Sequence, residues 1–170
     1  MQERKSKPAL YYYDLIRHDD LEGLKKAYEE NMDMCELEVY EKNLLIHAVL
    51  EDKPEILSFL ISIGCDLNKG DADRGVSPLQ AAALKHHLKT AEILLEAGAL
   101  VDKKDSLGNT PLIEAVFVSR GETDMAELLL AHGADPFMKN DAGVNPYDLA
   151  KTTEKSSLIK LFESKGISGA

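Results

Sequence analysis

Residues 75–112 read GVSPLQAAALKHHLKTAEILLEAGALVDKKDSLGNTPL, and residues 126–143 read AELLLAHGADPFMKNDAG. The stretch says the same thing twice. Ser77-Pro78-Leu79 answers Thr110-Pro111-Leu112 at a distance of 33 residues, and the run Ile93 to Ala99 answers Leu128 to Ala134. Ser or Thr before Pro is an N-cap and first-turn pair, because the hydroxyl accepts an orphan backbone N–H and proline has none to lose. Gly98 and Gly133 follow Leu-rich runs, where a left-handed residue closes a helix. These signals predict two helices over 78–85 and 88–97, joined by a short polar turn. Such a pair cannot bury its apolar face alone and must stack on neighbours.

A period near 33 residues with a T-P-L-type opening is the signature of ankyrin repeats, and the chain resembles that family. The resemblance implies an all-α solenoid of about five helix-turn-helix repeats with short β-turn fingers and divergent terminal repeats. The closing residues supply a ruler: Gly64, Gly98, Gly133 and Gly166 stand 34, 35 and 33 apart, and Asn31 lies 33 before Gly64. Asparagine follows glycine in tolerating the left-handed region. We expect one domain over 8–166, with repeats at 8–40, 41–73, 74–107, 108–142 and 143–166, and tails at 1–7 and 167–170, the last of which should fray.

The outer repeats read as caps. The first lacks a Ser/Thr-Pro opening and carries Tyr11-Tyr12-Tyr13 instead, either the cover of an open core end or an interface cluster. The second opens at Asn43-Leu44-Leu45, and Pro54 starts its second helix. The fourth carries two extra residues near Ser119-Arg120-Gly121, a surface insertion at little cost in closure entropy. The fifth opens at Asn145-Pro146 and runs to Leu158, Ile159, Leu161 and Phe162. Where the family has T-P-L-H, Gln80, Ile113 and Asp148 replace histidine, which is expected to weaken hydrogen bonding between successive turns.

The net charge of −10 over 170 residues argues against a phosphate-backbone ligand. Acidic excess is uneven: 35–76 hold nine acidic and four basic residues, 110–145 six and two, while 77–109 balance at four each. That field suits a basic partner or simply solubility. Cys35 and Cys65 have no C-x-x-C spacing and suggest no disulfide framework, so a reducing, cytoplasmic setting fits. The N-terminus lacks the apolar segment of a secretory signal, and no run reaches the 18 apolar residues of a membrane span. Export by a non-cleaved route stays open.

No catalytic motif is found. His18, His47, His86, His87 and His132 stand at no metal-ligand spacing, and His86-His87 read as turn residues. Asp71 and Asp73 hint at calcium, but an EF-hand loop needs more carboxylates and a closing Glu. G-x-S-x-G, Walker and G-x-G-x-x-G sequences are missing, so neither an enzyme nor a cofactor or metal site is expected.

The resemblance implies a module that binds another protein, as a monomer and without nucleic acid or membrane, through a concave face of first helices and finger tips. Carried over by phase, the finger positions are Tyr40, Lys42, Asp73, Arg74, Val76, Ser106, Leu107, Asn109, Asp141, Ala142 and Val144. The helix-end positions are Leu50, Glu51, Leu84, Lys85, Phe117, Val118, Thr152 and Thr153. Leu107, Phe117 and Val118 are apolar where solubility asks for polar residues, and we expect one exposed patch from them, flanked by Arg74. The plainer expectation is that Phe117 packs under the insertion. The function is then an adaptor or scaffold, or alternatively an immunity-type inhibitor that neutralises a basic enzyme or toxin.

Overall fold

The computed structural model describes residues 8–30 and 34–168; Asn31 and the 1–7 tail of the sequence reading lie outside them. Ten helices stand in five antiparallel pairs among the described residues: α1 (Ala9–Arg17) with α2 (Leu21–Glu30), α3 (Leu44–Leu50) with α4 (Pro54–Ser62), α5 (Pro78–Lys85) with α6 (Leu88–Glu96), α7 (Pro111–Val118) with α8 (Asp124–Ala131), and α9 (Pro146–Thr152) with α10 (Ser156–Ser164). The first helices stack in series, α1 on α3, α3 on α5, α5 on α7 and α7 on α9, and α4, α6 and α8 form a looser second row. The fold is an all-α repeat solenoid.

Local chemistry explains the starts of α3, α5, α7 and α9. Asn43, Ser77, Thr110 and Asn145 all accept a backbone N–H three residues on, at 2.9, 3.2, 3.3 and 2.7 Å. Three of these helices then begin with proline. The expected weakness at the missing histidine is not found at Gln80. Its Oε1 accepts from Ser77 N–H at 2.9 Å, closing a capping box, and its Nε2 donates to the Asn109 carbonyl of the next repeat at 2.8 Å. An amide carries both a donor and an acceptor, so it links turn to turn as an imidazole does.

Small residues let the first helices approach. Ala48, Ala82, Ala83, Ala115 and Ala150 are buried among Leu57, Leu60, Leu94, Leu112 and Leu129. At the ends the core is capped by larger groups: Tyr12 and Ile16 on one side, Tyr147, Leu158 and Phe162 on the other. Tyr12 therefore covers the core, whereas Tyr13 turns to the finger side, its ring 4.5 Å from His47 and 6.0 Å from Tyr40. Of the expected 167–170 tail, Ile167 N–H donates to Phe162 O at 2.9 Å and its side chain packs on the core, while 169–170 lie outside the described residues.

The fingers are built on one device. Asp71, Asp105 and Asn140 each accept at one side-chain oxygen from two finger N–H groups further along (Arg74 and Val76, Leu107 and Asn109, Ala142 and Val144), at 2.9 to 3.1 Å. At the tips Gly75, Gly108 and Gly143 hold φ of 69°, 73° and 78°, and in the first finger, β1 (Glu38–Val39) with β2 (Lys42–Asn43), Tyr40 and Glu41 take that role at 49° and 65°. Each tip donates to the one before: Ala72 N–H to Glu41 O, Ser106 to Arg74 O, and Asp141 to Leu107 O, at 2.8, 2.8 and 3.1 Å.

Cys35 and Cys65 are joined as a disulfide, contrary to the reading from their spacing. Cys35 lies in the 3-10 turn Met34–Glu36 before the first finger and Cys65 just after Gly64, so stacking brings two loops one repeat apart to a Cα–Cα distance of 5.1 Å. Closing a loop of this length is worth at most about 3–4 kcal/mol. A thiol reductant should therefore lower the melting temperature of the wild-type protein and leave that of a Cys35→Ser/Cys65→Ser variant unchanged; identical wild-type melts with and without reductant would refute this.

Gly98 and Gly108 offer a paired test. Both have positive φ, but a Cβ on Gly98 meets open space, whereas one on Gly108 falls 2.5 Å from Asp141 Oδ1 and 2.8 Å from its backbone nitrogen. Gly98→Ala should cost about 1 kcal/mol in denaturant unfolding, and Gly108→Ala clearly more.

Candidate functional site

The finger tips and the C-terminal ends of the first helices enclose three neighbouring depressions. One, of about 200 Å³, has a floor of Ile46, Leu50, Ala81 and Leu84 and a rim that includes Lys42, Asp73 and Lys85. A second, of about 370 Å³, lies between Leu107, Ile113, Phe117, Val144 and Leu149, with Asn109, Glu114 and Asn140 supplying polar atoms. Arg74 lines both. The third, about 430 Å³, runs from Leu84 and Lys85 past His86 to Val118, Arg120 and Glu122.

The expected residues distribute unevenly over these surfaces. Leu107 and Phe117 are 52% and 66% exposed, so Phe117 does not pack under the insertion. The two wall the same depression with Arg74. Val118 is half-buried and looks into a different one, so the anticipated three-residue patch does not form. Consecutive residues on a helix point about 100° apart, and α7 separates this pair accordingly. Val76, expected on the surface, is buried at 8% and lies in the floor of the first depression. Tyr40 is 70% exposed at the first tip, and Glu51 accepts the Tyr13 hydroxyl at 3.4 Å. Ser106, Asp141, Ala142, Thr152 and Thr153 are exposed without lining any of the three depressions.

At the centre stands a polar cluster of which the sequence analysis names only Arg74 and Asn109. The Arg74 guanidinium donates to Asp105 Oδ2 at 2.8 Å and reaches Glu114 Oε1 at 3.5 Å. Asp105 is wholly buried at its side chain and Glu114 nearly so. Asn109 Nδ2 donates to the same Glu114 oxygen at 3.1 Å and accepts at Oδ1 from Asn140 Nδ2 at 2.8 Å. Burial pushes the Glu114 carboxyl above the usual carboxylate range, with the Asn109 bond and Arg74 pulling the other way. His47 is shifted down by burial, against the pull of its 2.8 Å contact with Val39 O. The signal for Asp105 was present, since Asp71, Asp105 and Asn140 follow the period at 34 and 35 residues. Nothing in the period announces Glu114, whose counterparts in the neighbouring repeats are His47, Ala81 and Leu149.

The insertion is internally bonded. Ser119 Oγ donates to Glu122 O at 2.7 Å, and Lys155 Nζ, from the start of α10, donates to the carbonyls of Phe117 and Ser119. That ammonium caps α7 and holds the Phe117 backbone in place. Among the described residues, no three His, Cys, Asp or Glu side chains are grouped to hold a metal ion, and no helix is long and apolar enough to cross a membrane.

Comparison with known proteins gives a consistent picture. The family model for ankyrin repeats in three copies matches residues 15–105 and 45–140. An ankyrin repeat-containing protein of Treponema pallidum is 32% identical over 114 residues, 67% of this chain and 38% of that protein. The ankyrin repeat protein YahD of Escherichia coli is 29% identical over 128 residues, 73% of this chain and 63% of its own. The ankyrin repeat and KH domain-containing protein mask-1 of Caenorhabditis elegans is 36% identical over 90 residues, 53% of this chain but 3% of that protein. The chain thus spans less than two thirds of the length of each of these relatives.

Arg74→Met should destabilise the fold by about 1–3 kcal/mol in denaturant unfolding, because it strips a charged hydrogen bond from the buried Asp105 carboxylate. The lower part of that range is expected, since the Arg74 side chain is 42% exposed and water can replace part of it.

Proposed function

The chain belongs to the ankyrin-repeat family, and from that premise we propose that it is a non-catalytic module that docks one partner protein on the face made by its fingers and first helices. Ankyrin repeats are protein-binding units, and a rigid stack keeps side chains in register, which lowers the ordering penalty on binding. The observation that carries the reading is the pair Leu107 and Phe117, two large apolar side chains left to solvent at the lining of one depression. Aromatic anchors beside polar groups are the usual centre of an interface. The unit taken to act is residues 8–166, as a monomer, with no cofactor.

An immunity-type inhibitor of a basic enzyme is the second reading, favoured by the net charge of −10. The depressions themselves are mixed in charge, with Lys42, Arg74, Lys85 and Arg120 at their rims, so the acidity would act by long-range attraction. Steering of that kind weakens with salt, and inhibition would fade as salt rises. A cytoplasmic setting loses its support from the cysteines, since Cys35 and Cys65 are paired.

The test is a binding measurement with Leu107→Glu and Phe117→Glu, each first checked by circular dichroism for an unchanged fold. Both should abolish capture of a stoichiometric partner, while Val118→Lys, on the other side of α7, should retain it. Retention by all three would place the interface elsewhere.

A further inference from the structure

The Leu107–Phe117 depression has a specific chemical demand. Glu114 and Phe117 stand three residues apart on α7 and therefore share a face. Glu114 is 5% exposed, and the nearest cation, Arg74, lies 3.5 Å away and is committed at 2.8 Å to Asp105. Arg74 is the one cation lining the depression among the described residues, and with two buried carboxylates to answer it leaves a surplus of one negative charge. Its volume of about 370 Å³ admits a long side chain.

Three kinds of occupant meet this surface differently. An anionic group would be repelled by the Glu114 carboxylate that lines the depression. A purely apolar plug would cover the carboxylate and remove its remaining hydration without supplying a partner, which is unfavourable. A cation on an aliphatic stem satisfies walls and floor together, since the stem lies along apolar surface while the head pairs with the carboxylate. A guanidinium does so best, because it is planar, stacks on an aromatic face and forks onto oxygen acceptors.

We propose that this depression receives an arginine side chain of the partner protein, its stem between Leu107 and Phe117 and its guanidinium against Glu114. The Phe117 ring supplies the stacking face. Asn109 lines the same depression, and its Oδ1, which accepts once from Asn140, has a second lone pair for a remaining N–H donor. The assignment rests on the docking face proposed above and adds the chemistry of the residue that enters it.

The experiment selects binders from a displayed library of random 12-residue peptides on the intact immobilised protein, then measures synthetic copies of the winners by fluorescence polarisation. The expected result is one arginine shared by the binders. Replacing it by glutamine should weaken binding tenfold or more, and replacing it by lysine should weaken it less. Glu114→Gln should cause a loss similar to that of the glutamine peptide, and the two changes together should cost no more than either alone. The variant keeps the acceptor that Asn109 uses and removes a buried charge, and its thermal melt should match the wild type. Affinity should also fall as pH drops through the titration of Glu114, and this dependence should vanish in Glu114→Gln. Binders without a shared arginine, or insensitive to Glu114→Gln yet lost with Phe117→Glu, overturn the arginine assignment and leave the docking face standing. Binders insensitive to both Leu107→Glu and Phe117→Glu, or a failure to select any, overturn both.

Discussion

Everything in this molecule depends on how closely one first helix can lie against the next. Helices of seven to nine residues are too short to persist alone, and their stability comes from the neighbour. Small residues suit that approach, with Ala48, Ala82, Ala83, Ala115 and Ala150 completely or almost completely buried in one core with the leucines. A larger side chain there would push adjacent repeats apart and break the bonds that depend on their spacing. Gln80 reaching the Asn109 carbonyl and each finger tip bonding to the one before are consequences of that approach. The solenoid is a ladder whose rung spacing is set by a methyl group.

The same spacing makes the exposed face rigid. Leu107 and Phe117 come from a finger and a helix end, and both are held through their backbones. The Arg74–Asp105 pair fastens one finger to the next, and Lys155 fastens the end of α7 to the following repeat. Both are charged groups working on backbone geometry from one repeat away. The apolar pair is therefore presented by its neighbours.

Much of this was legible because repetition amplifies weak signals. One Ser-Pro is a poor predictor of a helix start, but Ser77, Thr110 and Asn145 at a common period, each before proline, are not a coincidence, and all three cap as read. The exposure of Leu107 and Phe117 followed from the same phase. What escaped the reading departs from the period. Cys35 and Cys65 are 30 residues apart, a separation that matches no repeat interval. Glu114 occupies a position that is Ala81 one repeat earlier. Adjacency groups Val118 with Phe117, although the helix turns them to different surfaces. Gln80 reads as a loss only when set against histidine by name; by donors and acceptors it is an equivalent.

The disulfide has a further consequence. Its two sulfurs close a ring containing β1, β2, α3 and α4, the whole of the second helix pair. A force applied to the two chain ends travels through the S–S bond and bypasses that ring. About 100 Å of extended chain, from 30 residues at roughly 3.3–3.6 Å each, stays out of reach of the pull. A protease that cuts inside the ring likewise releases no fragment until the bond is reduced. The repeat next to the most divergent end of the solenoid is in this sense locked against both stretching and nicking.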